Sequence, residues 1–339
     1  MANITPSQIL VHPNYMVPEL LMQYNQASAA FEALAGGDPM PRLGTGDLQV
    51  YAKAFDVRTS MAAGQTAGNS LPSVDIIAKM ISTPTYLQRV RAEYDHHDTA
   101  AMSNWGVNIV EAQRLGMRQG HFQLMRSALL YGMNGSNGEG LLNAVGATTV
   151  SLPADSFGNT TVSTYDNGQM AIFMLGVLGS LKVRIMQLGI GHRIVILGPQ
   201  RVFAQWEYAG IVQLTQFQRP GAGTNTTAGT IKSIGEMNAD EIVWGADDTL
   251  IGKGANGTDA VIVVLPEVKA PKANKVNTNV FAEVAPGLSA CTLQYCDMPA
   301  PREIPTPLPG GAIDVLSEMR ITSGWAVRPE AISIINMPF

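Results

Sequence analysis

The strongest amphipathic pattern in the chain lies between residues 99 and 131. Apolar side chains recur there in steps of three, four or seven positions, which places them on one face of a helix. We expect this face to consist of Met102, Trp105, Ile109, Ala112, Leu115, Phe122, Met125 and Leu129. Asp98 and Thr99 are suitable N-caps, and glycines at 132, 135 and 138 end the pattern. The sequence therefore predicts one continuous helix of roughly 50 Å, packed mainly through Trp105, Ile109, Phe122 and Leu129.

Alternating apolar and polar residues predict two β-strands before this helix. Residues 50–58 alternate with a period of two, and a second extended run follows at 74–94. An isolated two-stranded hairpin is barely stable in water, so residues 47–98 need support from another surface, and a neighbouring subunit is the simplest candidate. The tip residues expected to reach that neighbour are Ala62, Gly64, Gln65, Gly68, Asn69 and Ser70.

The rest of the chain completes a mixed α+β pattern. Residues 1–46 contain five prolines and room for one short helix at 18–34, too little for a core of their own, so they are predicted to form an arm. A Gly-rich turn with the motif Gly140-Leu141-Leu142-Asn143 follows the long helix. The later predicted elements are a helix at 168–188 and strands at 192–197, 241–244, 259–265, 312–319 and 321–335.

Composition favours a folded protein that hides surface against its neighbours. Hydrophobic residues make up 46% of the chain and charged residues only 14%, against roughly 25% charged in a typical soluble domain. Charge is depleted at the cores of protein interfaces. The net charge of −5 argues against a protein that grips nucleic acid directly. Cys291 and Cys296 form no disulfide framework, which favours a reducing cytoplasm.

Each candidate for site chemistry has a simpler structural interpretation. His96-His97 lies between two aspartates, but adjacent residues rarely bind one metal together, so a polar turn at the foot of the helix is favoured. Residues 252–257 match the dinucleotide pattern G-x-G-x-x-G, yet a strand follows where a helix is needed, which favours a hairpin turn. The apolar stretch at 170–188 is interrupted by Gly176 and Gly179, so a buried helix is favoured over a membrane span. We predict no catalytic, cofactor-binding or metal-binding residues, no cofactor and no membrane.

The order of these parts resembles the Hong Kong 97-like major capsid proteins of tailed bacteriophages. The resemblance depends on the arm, hairpin and long helix, on the turn Gly140-Leu141-Leu142-Asn143, and on the closing segment at 324–332, GWAVRPEAI. Among these proteins the chain looks most similar to a podovirus-type branch. The resemblance implies the following division: an N-terminal arm at 1–46, an extended loop at 47–98, a peripheral domain at 99–160 and 300–339 with a spine helix at 99–131, and an axial domain at 161–299.

The resemblance also implies a function. Such a chain would assemble with itself into the hexamers and pentamers of an icosahedral head that encloses double-stranded DNA without reading its sequence. Its location would be the virion, after assembly in the cytoplasm of the host bacterium. A separate scaffold, a portal and possibly a cement or decoration protein would be its partners. Two alternatives stay open: an encapsulin-like compartment shell with the same fold, and a cytosolic α/β enzyme.

Overall fold

The computed structural model describes residues 42–59, 74–104, 106, 108–155, 157–165, 167–185, 191–207, 231–232, 240–267, 293–295, 298 and 300–339. The helices are α1 (His96–Ser103), α2 (Ile109–Leu130) and α3 (Asn167–Arg184), with further helical residues at 200–207. The strands are β1 (Gln49–Thr59), β2 (Val74–Tyr94), β3 (Thr148–Ser151), β4 (Arg193–Gly198), β5 (Glu241–Ala246), β6 (Asp259–Val264), β7 (Leu293–Gln294), β8 (Arg302–Pro307), β9 (Ile313–Thr322), β10 (Trp325–Ala326) and β11 (Ile332–Met337). The mixture of helix and sheet agrees with the predicted α+β class.

One long strand organises the first sheet, whose order is β1-β2-β9-β8. The first half of β2 pairs only with β1, from Val74 to Pro84. The second half, Thr85 to Tyr94, pairs with β9. The strand therefore changes partner between Pro84 and Thr85, and the β1–β2 hairpin continues beyond the part of β2 that β9 supports.

The predicted continuous spine helix at 99–131 is wrong, because the structure divides it into α1 and α2. Gly106 has a φ of +70°, a left-handed conformation that cannot continue a helix. Asn108 then starts α2, since its side-chain oxygen accepts hydrogen bonds from the N–H groups of Val110 and Glu111. The apolar spacing alone joins the two helices into one, although no residue of α1 is buried.

The N-terminal cap of the first helix also differs from the prediction. Asp95, and not Asp98 or Thr99, is the N-cap of α1. Its carboxylate accepts a hydrogen bond from the N–H of His96, and Asp98 completes a capping box by accepting from the N–H of Asp95. The helix therefore begins three residues before its predicted start.

The buried face of α2 differs from the predicted one in the first half of the helix, whereas Phe122, Met125 and Leu129 pack against a core as predicted. Met117 and His121 are buried against the first sheet, and the side-chain amide of Gln113 donates to the carbonyl of Glu93 in β2, at 3.2 Å. Ala112 and Leu115, which the pattern places on the packed face, are exposed. Because α2 starts at its own cap, its contacts with the sheet, and not continuity with α1, decide which of its residues are buried.

His121 joins α2 to the first sheet without a charged partner. Its Nε2 lies 3.1 Å from Oγ of Ser317 in β9, and its Nδ1 lies 3.4 Å from Oε1 of Gln88 in β2. Burial lowers the pKa of His121 below its ordinary value, because the charged imidazolium loses its hydration. The neutral ring is therefore the form that the fold favours.

Acidification should destabilise the protein through His121. Since the folded-state pKa lies below the unfolded value of about 6.5, the stabilisation is present above that pH and is lost as the pH falls. We expect the stability difference between the wild type and His121→Gln to shrink between pH 7.5 and pH 5, measured from urea unfolding midpoints. His97→Gln, at an exposed histidine, is the matched control; equal pH responses of the two variants would contradict the prediction.

A second sheet of mixed direction, in the order β3-β11-β6-β4-β5, separates two cores. In β4, Val195 and Leu197 face a core shared with Leu129 of α2. Ile194 and Ile196 face a second core that includes α3. All six residues of β6 are buried, as expected for a strand covered on both faces.

The C-terminal segment packs beside α2 and also enters the second sheet. The resemblance placed residues 300–339 beside the spine helix, and β8 and β9 lie in the sheet against α2. Strand β11 pairs antiparallel with β6 and parallel with β3, and its Ile332 and Ile334 share a core with Leu129 of α2. The C-terminal segment thus contributes to both sheets and ties them together. None of the helices within the described ranges is long and apolar enough to cross a membrane.

Candidate assembly surfaces

The β1–β2 hairpin is the element expected to reach a neighbouring molecule. Its ladder contains eleven residue pairs, from Gln49↔Pro84 to Thr59↔Val74, which corresponds to about 35 Å of extended chain. The predicted contact residues Ala62, Gly64, Gln65, Gly68, Asn69 and Ser70 all lie outside the described residues. The contact that they make stays a prediction.

The four predicted packing residues of the spine have different environments. Leu129 is fully buried in the core between α2 and the second sheet, and Phe122 packs against the same core. Ile109 is the first residue of α2 and is only partly buried. Trp105 lies outside the described residues. Of the three residues that the structure describes, Phe122 and Leu129 contribute most to the core.

The turn after α2 is built on a close approach of two backbone segments. Gly140 has a φ of +86°, and a Cβ atom there would lie 2.3 Å from the backbone nitrogen of Gly132. The N–H of Gly140 donates to the carbonyl of Gly324 at 2.6 Å, and the N–H of Gly324 donates to the carbonyl of Ala128 at 3.1 Å. The turn, the end of α2 and the segment after β9 therefore meet with no space for side chains.

The other three residues of the motif fix this turn to the body. Leu141 is fully buried and Leu142 packs against the same core. The side-chain amide of Asn143 donates to the carbonyl of Tyr131 at 2.7 Å, which satisfies one of the carbonyl groups left free at a helix C-terminus. Gly140, Leu141, Leu142 and Asn143 thus form a helix-terminating unit in the described structure.

Glu139, immediately before this motif, is a buried carboxylate that joins three elements. Its two oxygens accept from the hydroxyl of Tyr86 in β2, at 2.8 and 3.0 Å. Oε2 also accepts from the hydroxyl of Ser323 at 2.8 Å and from the N–H of Asn134 at 3.1 Å. Burial and the neighbouring carboxylate raise the pKa of Tyr86 to about 12. The hairpin strand is thereby attached to the turn.

Glu139 was missed as a functional residue at the sequence level. A single glutamate inside a run of glycines and asparagines has the composition of an exposed turn. Its partners Tyr86 and Ser323 are far away in the sequence, so only the folded arrangement brings them together. The available signal was weak: a carboxylate directly before Gly140 in an otherwise uncharged turn.

Several large apolar side chains remain exposed on the described surface. Phe157, in a short loop, is 88% exposed, and Ile172 on α3 is 73% exposed. The outward face of α3 carries no charge. Its exposed residues are Gly168, Ile172, Gly176, Gly179, Ser180 and Val183. An uncharged face with exposed β-branched residues has the composition of a protein contact surface.

The loop at 252–257 lacks the helix that a dinucleotide site needs after its glycines. Strand β6 follows it directly, as predicted from the sequence. Its N–H groups are used internally: Gly252 donates to Asp259 at 3.0 Å, and Ala255 donates to Asn336 at 2.8 Å. The predicted hairpin is nevertheless wrong, because β5 and β6 lie on opposite sides of β4. The loop therefore passes the end of β4.

The ligand atoms of Asp95, His96 and His97 lie within 4.8 Å of one another. Both histidines are exposed, and the carboxylate of Asp95 already caps α1. The favoured interpretation as a polar turn is wrong, because Asp95 is the N-cap of α1 and the two histidines are its first helical residues. That the chain binds no metal stays a prediction.

Comparison with known proteins shows similarity of fold. No family model and no curated protein sequence matches the chain. The capsid of Myoviridae phage XM1 has a TM-score of 0.67 and 10% sequence identity, over 98% of this chain and 100% of that chain. The capsid of Cyanophage P-SCSP1u has a TM-score of 0.53 and 12% identity, over 99% of both chains. The asymmetric unit of the bacteriophage PhiM1 mature capsid has a TM-score of 0.53 and 12% identity, over 96% of this chain and 92% of that one. The chain has the fold of phage capsid proteins.

Proposed function

We propose that this chain is the major capsid protein of a tailed bacteriophage and that its function is structural and not enzymatic. It assembles with itself into the hexamers and pentamers of an icosahedral head around double-stranded DNA. The observation that carries the proposal is the end-to-end likeness to a capsid chain, with 98% of this chain and 100% of the other covered. Self-assembly needs extended contact surface, and head-to-tail contacts close into rings when the rotation between copies fits.

The described surface supports contact between copies. The uncharged outward face of α3 and the exposed Phe157 are available for burial. Two arginines of the peripheral region pair within the subunit: Arg89 of β2 with Glu318, and Arg114 of α2 with Glu303. Many weak contacts of this kind add, since each later contact in a closing ring is effectively intramolecular.

The finer assignments belong to the same proposal. Residues 47–98 are the extended loop that lies on an adjacent subunit, and 1–46 are the arm. Residues 99–160 and 300–339 form the peripheral domain, and 161–299 form the axial domain that meets its copies around the symmetry axes. The location is the virion, after assembly in the host cytoplasm. A separate scaffold, a portal and a decoration protein remain predicted partners, as does membership of a podovirus-type branch.

Electron microscopy of the purified full chain tests the function. Negative staining should show closed particles of megadalton mass. Nuclease treatment and protein analysis of particles from infected cells then identify the contents. Enclosed DNA supports the phage head, whereas a cargo protein indicates the encapsulin-like alternative. A stable monomer or small oligomer under all assembly conditions would reject both and favour the cytosolic enzyme.

Deletion of residues 61–70 should give a soluble subunit that fails to form closed shells. The deletion leaves Ser60, Leu71, Pro72 and Ser73 between the last paired residues, Thr59 and Val74. Four residues are enough for a β-hairpin loop. The subunit therefore keeps its fold but loses the contact that the tip makes, and negative-stain microscopy measures the loss of particles.

Folding of the deletion variant is checked separately by circular dichroism and thermal unfolding, which should match the wild type. A second variant carries ten Gly and Ser residues in place of 61–70, which keeps the length and removes the native side chains. It should also fail to close shells. Normal particles from either variant would show that the tip makes no required contact.

A further inference from the structure

A tight turn between β3 and α3 presents Phe157 to solvent, with 88% of its surface exposed. Asp155 shapes this turn, because its Oδ1 accepts from the N–H groups of Phe157 at 2.8 Å and of Asn159 at 2.7 Å. The N–H of Asp155 donates to the carbonyl of Asn159 at 2.7 Å, and the N–H of Gly158 donates to the carbonyl of Asp155 at 3.1 Å. The exposure of Phe157 is therefore a consequence of an internally hydrogen-bonded turn.

Both ends of the loop that carries this turn are fixed to the C-terminal segment. The N–H of Leu152 donates to the carbonyl of Asn336 at 3.2 Å, and the N–H of Val162 donates to the carbonyl of Pro338 at 2.8 Å. The side chains of Leu152 and Val162 are buried in the core that includes α3. Buried contacts and backbone hydrogen bonds of this kind hold a segment in place, so Phe157 is a fixed apolar projection.

The outward face of α3 has the complementary shape. Ile172, Gly176, Gly179 and Val183 follow one another in steps of four, three and four, which places them along one line of the helix. Ile172 is 73% exposed and Val183 is 56% exposed, and a Cβ atom at either glycine would meet nothing within 4 Å. About 16 Å of helix separates Ile172 from Val183, and the two glycines leave an open space between them. We call these four residues the α3 socket.

The α3 socket is free of charge because the cationic side chains of this helix are turned into the subunit. Lys182 is buried and pairs with Asp240. Arg184 donates hydrogen bonds to the hydroxyl groups of Thr148 and Ser333. The exposed positions in the described part of α3 therefore include no charged residue.

The exposed apolar residue Leu115 of α2 has a different environment. Glu111 lies four positions before it and Arg118 three positions after it, and both are exposed on the same side of the helix. An aromatic ring placed there would remove water from charged groups, which is unfavourable. The uncharged α3 socket is the better match for Phe157, since the cores of protein contacts are depleted of charge.

The partner of each of these two surfaces is a second copy of the chain. Within one subunit they do not cover each other, because Phe157 and Ile172 both remain exposed. Head-to-tail contact between copies needs two different surfaces on every copy, one that projects and one that receives. The turn at Phe157 and the α3 socket provide one of each.

We propose that Phe157 of one copy inserts into the α3 socket of the next copy, over Gly176 and Gly179 and between Ile172 and Val183. The inference rests on the proposed function and deepens it, by assigning one contact between copies to named residues. The ring leaves water and contacts apolar groups, which is favourable. In a closed ring the contact occurs once for every copy, so its contribution is repeated.

Photo-cross-linking of the full chain under assembly conditions tests this contact. Phe157 is replaced by p-benzoylphenylalanine, which keeps the aromatic ring, and ¹⁵N-labelled and unlabelled copies are mixed before irradiation. Mass spectrometry should find cross-links from position 157 to residues 172–183 that join labelled to unlabelled copies. The same probe at Leu115 should give none to those residues. No cross-links to 172–183, cross-links only within one copy, or equal yields from both positions would overturn the proposal.

Filling the socket gives a second and independent measurement. Gly176→Leu should not lower the thermal unfolding midpoint of the subunit, because the space around Gly176 is open and leucine favours a helix more than glycine does. The yield of closed particles should fall about tenfold or more, because the lost contact recurs at every copy. Gly116→Leu is the matched control, since Gly116 is an exposed glycine of α2 with equally open space, and it should form particles as the wild type does. A normal yield from Gly176→Leu, or equal losses in both variants, would overturn the proposal.

Negative-stain microscopy records assembly separately in each experiment. Closed particles without cross-links from position 157 to the α3 socket would overturn only the proposed contact. Cross-links between copies at this contact, without closed particles under any condition, would overturn only the proposed function.

Discussion

Gly140→Ala is expected to lower the free energy of unfolding by about 3–5 kcal/mol, from the combined cost of an alanine at a φ of +86° and a ψ of 154° and of a displaced backbone. The new methyl group would lie 2.3 Å from the nitrogen of Gly132 and 2.9 Å from the carbonyl oxygen of Tyr131. Both are backbone atoms, so no flexible side chain can move aside. The turn must separate from the end of α2, which also lengthens the hydrogen bond to Gly324. Urea unfolding measures the change.

Gly158→Ala is the matched control for this prediction. Gly158 has the same φ of +86°, but a Cβ atom there meets nothing within 4 Å. The control therefore carries only the conformational cost of a left-handed alanine, about 1–2 kcal/mol. The difference between the two variants isolates the close approach of the backbones. Equal losses of stability would show that the contact between Gly140 and Gly132 contributes little.

The turn at Gly140 also shows which features of the fold can be predicted from the sequence. The glycines after the long helix correctly predict that the helix ends there. They do not show that Gly140 faces Gly132, eight residues away, or that Gly324 closes the other side, because the second contact joins positions almost two hundred residues apart. Local turn chemistry is readable from a sequence, whereas the partner of a turn depends on the whole fold.

The strands also separate what is local and predictable from what depends on the whole fold. Continuous apolar runs predict β4 and β6 correctly, because a strand buried on both faces needs apolar residues at every position. The position of β11 between β3 and β6 has no such signal, since any strand of similar composition could pair there. The pairing is decided by chain connection and packing, so the sequence did not predict which strands are the partners of β11.

The break between α1 and α2 was unpredictable for a different reason. Apolar residues on both sides of 104–108 keep helical spacing, so periodicity joins them. Gly106 and Asn108 carried the opposing signal, and both are tolerated inside a helix at a cost of roughly 1 kcal/mol or less. The division is made by the left-handed Gly106 and the Asn108 cap together with the contacts of α2 with the first sheet, and periodicity alone shows none of these.

Among the polar residues of the described structure, Glu139 should be the one whose substitution lowers the free energy of unfolding most. Glu139→Gln is expected to lower the free energy of unfolding by about 2–3 kcal/mol. The carboxylate accepts from Tyr86, Ser323 and the backbone of Asn134. An amide of the same shape turns one acceptor into a donor, so a buried donor then faces another donor. Urea unfolding measures the loss, and Glu111→Gln, in an exposed ion pair with Arg114, should change it by less than about 0.5 kcal/mol.

The Tyr86 hydroxyl provides a test of the same site through pH. Its pKa is raised to about 12 by burial, then by the hydrogen bond to Glu139 and by its charge, while an unfolded tyrosine titrates at about 10. A folded pKa above the unfolded one means that the stabilisation is complete below pH 10 and is lost as the pH rises toward 12. The stability difference between the wild type and Tyr86→Phe should therefore shrink across this range. A constant difference would show that the hydroxyl does not depend on Glu139.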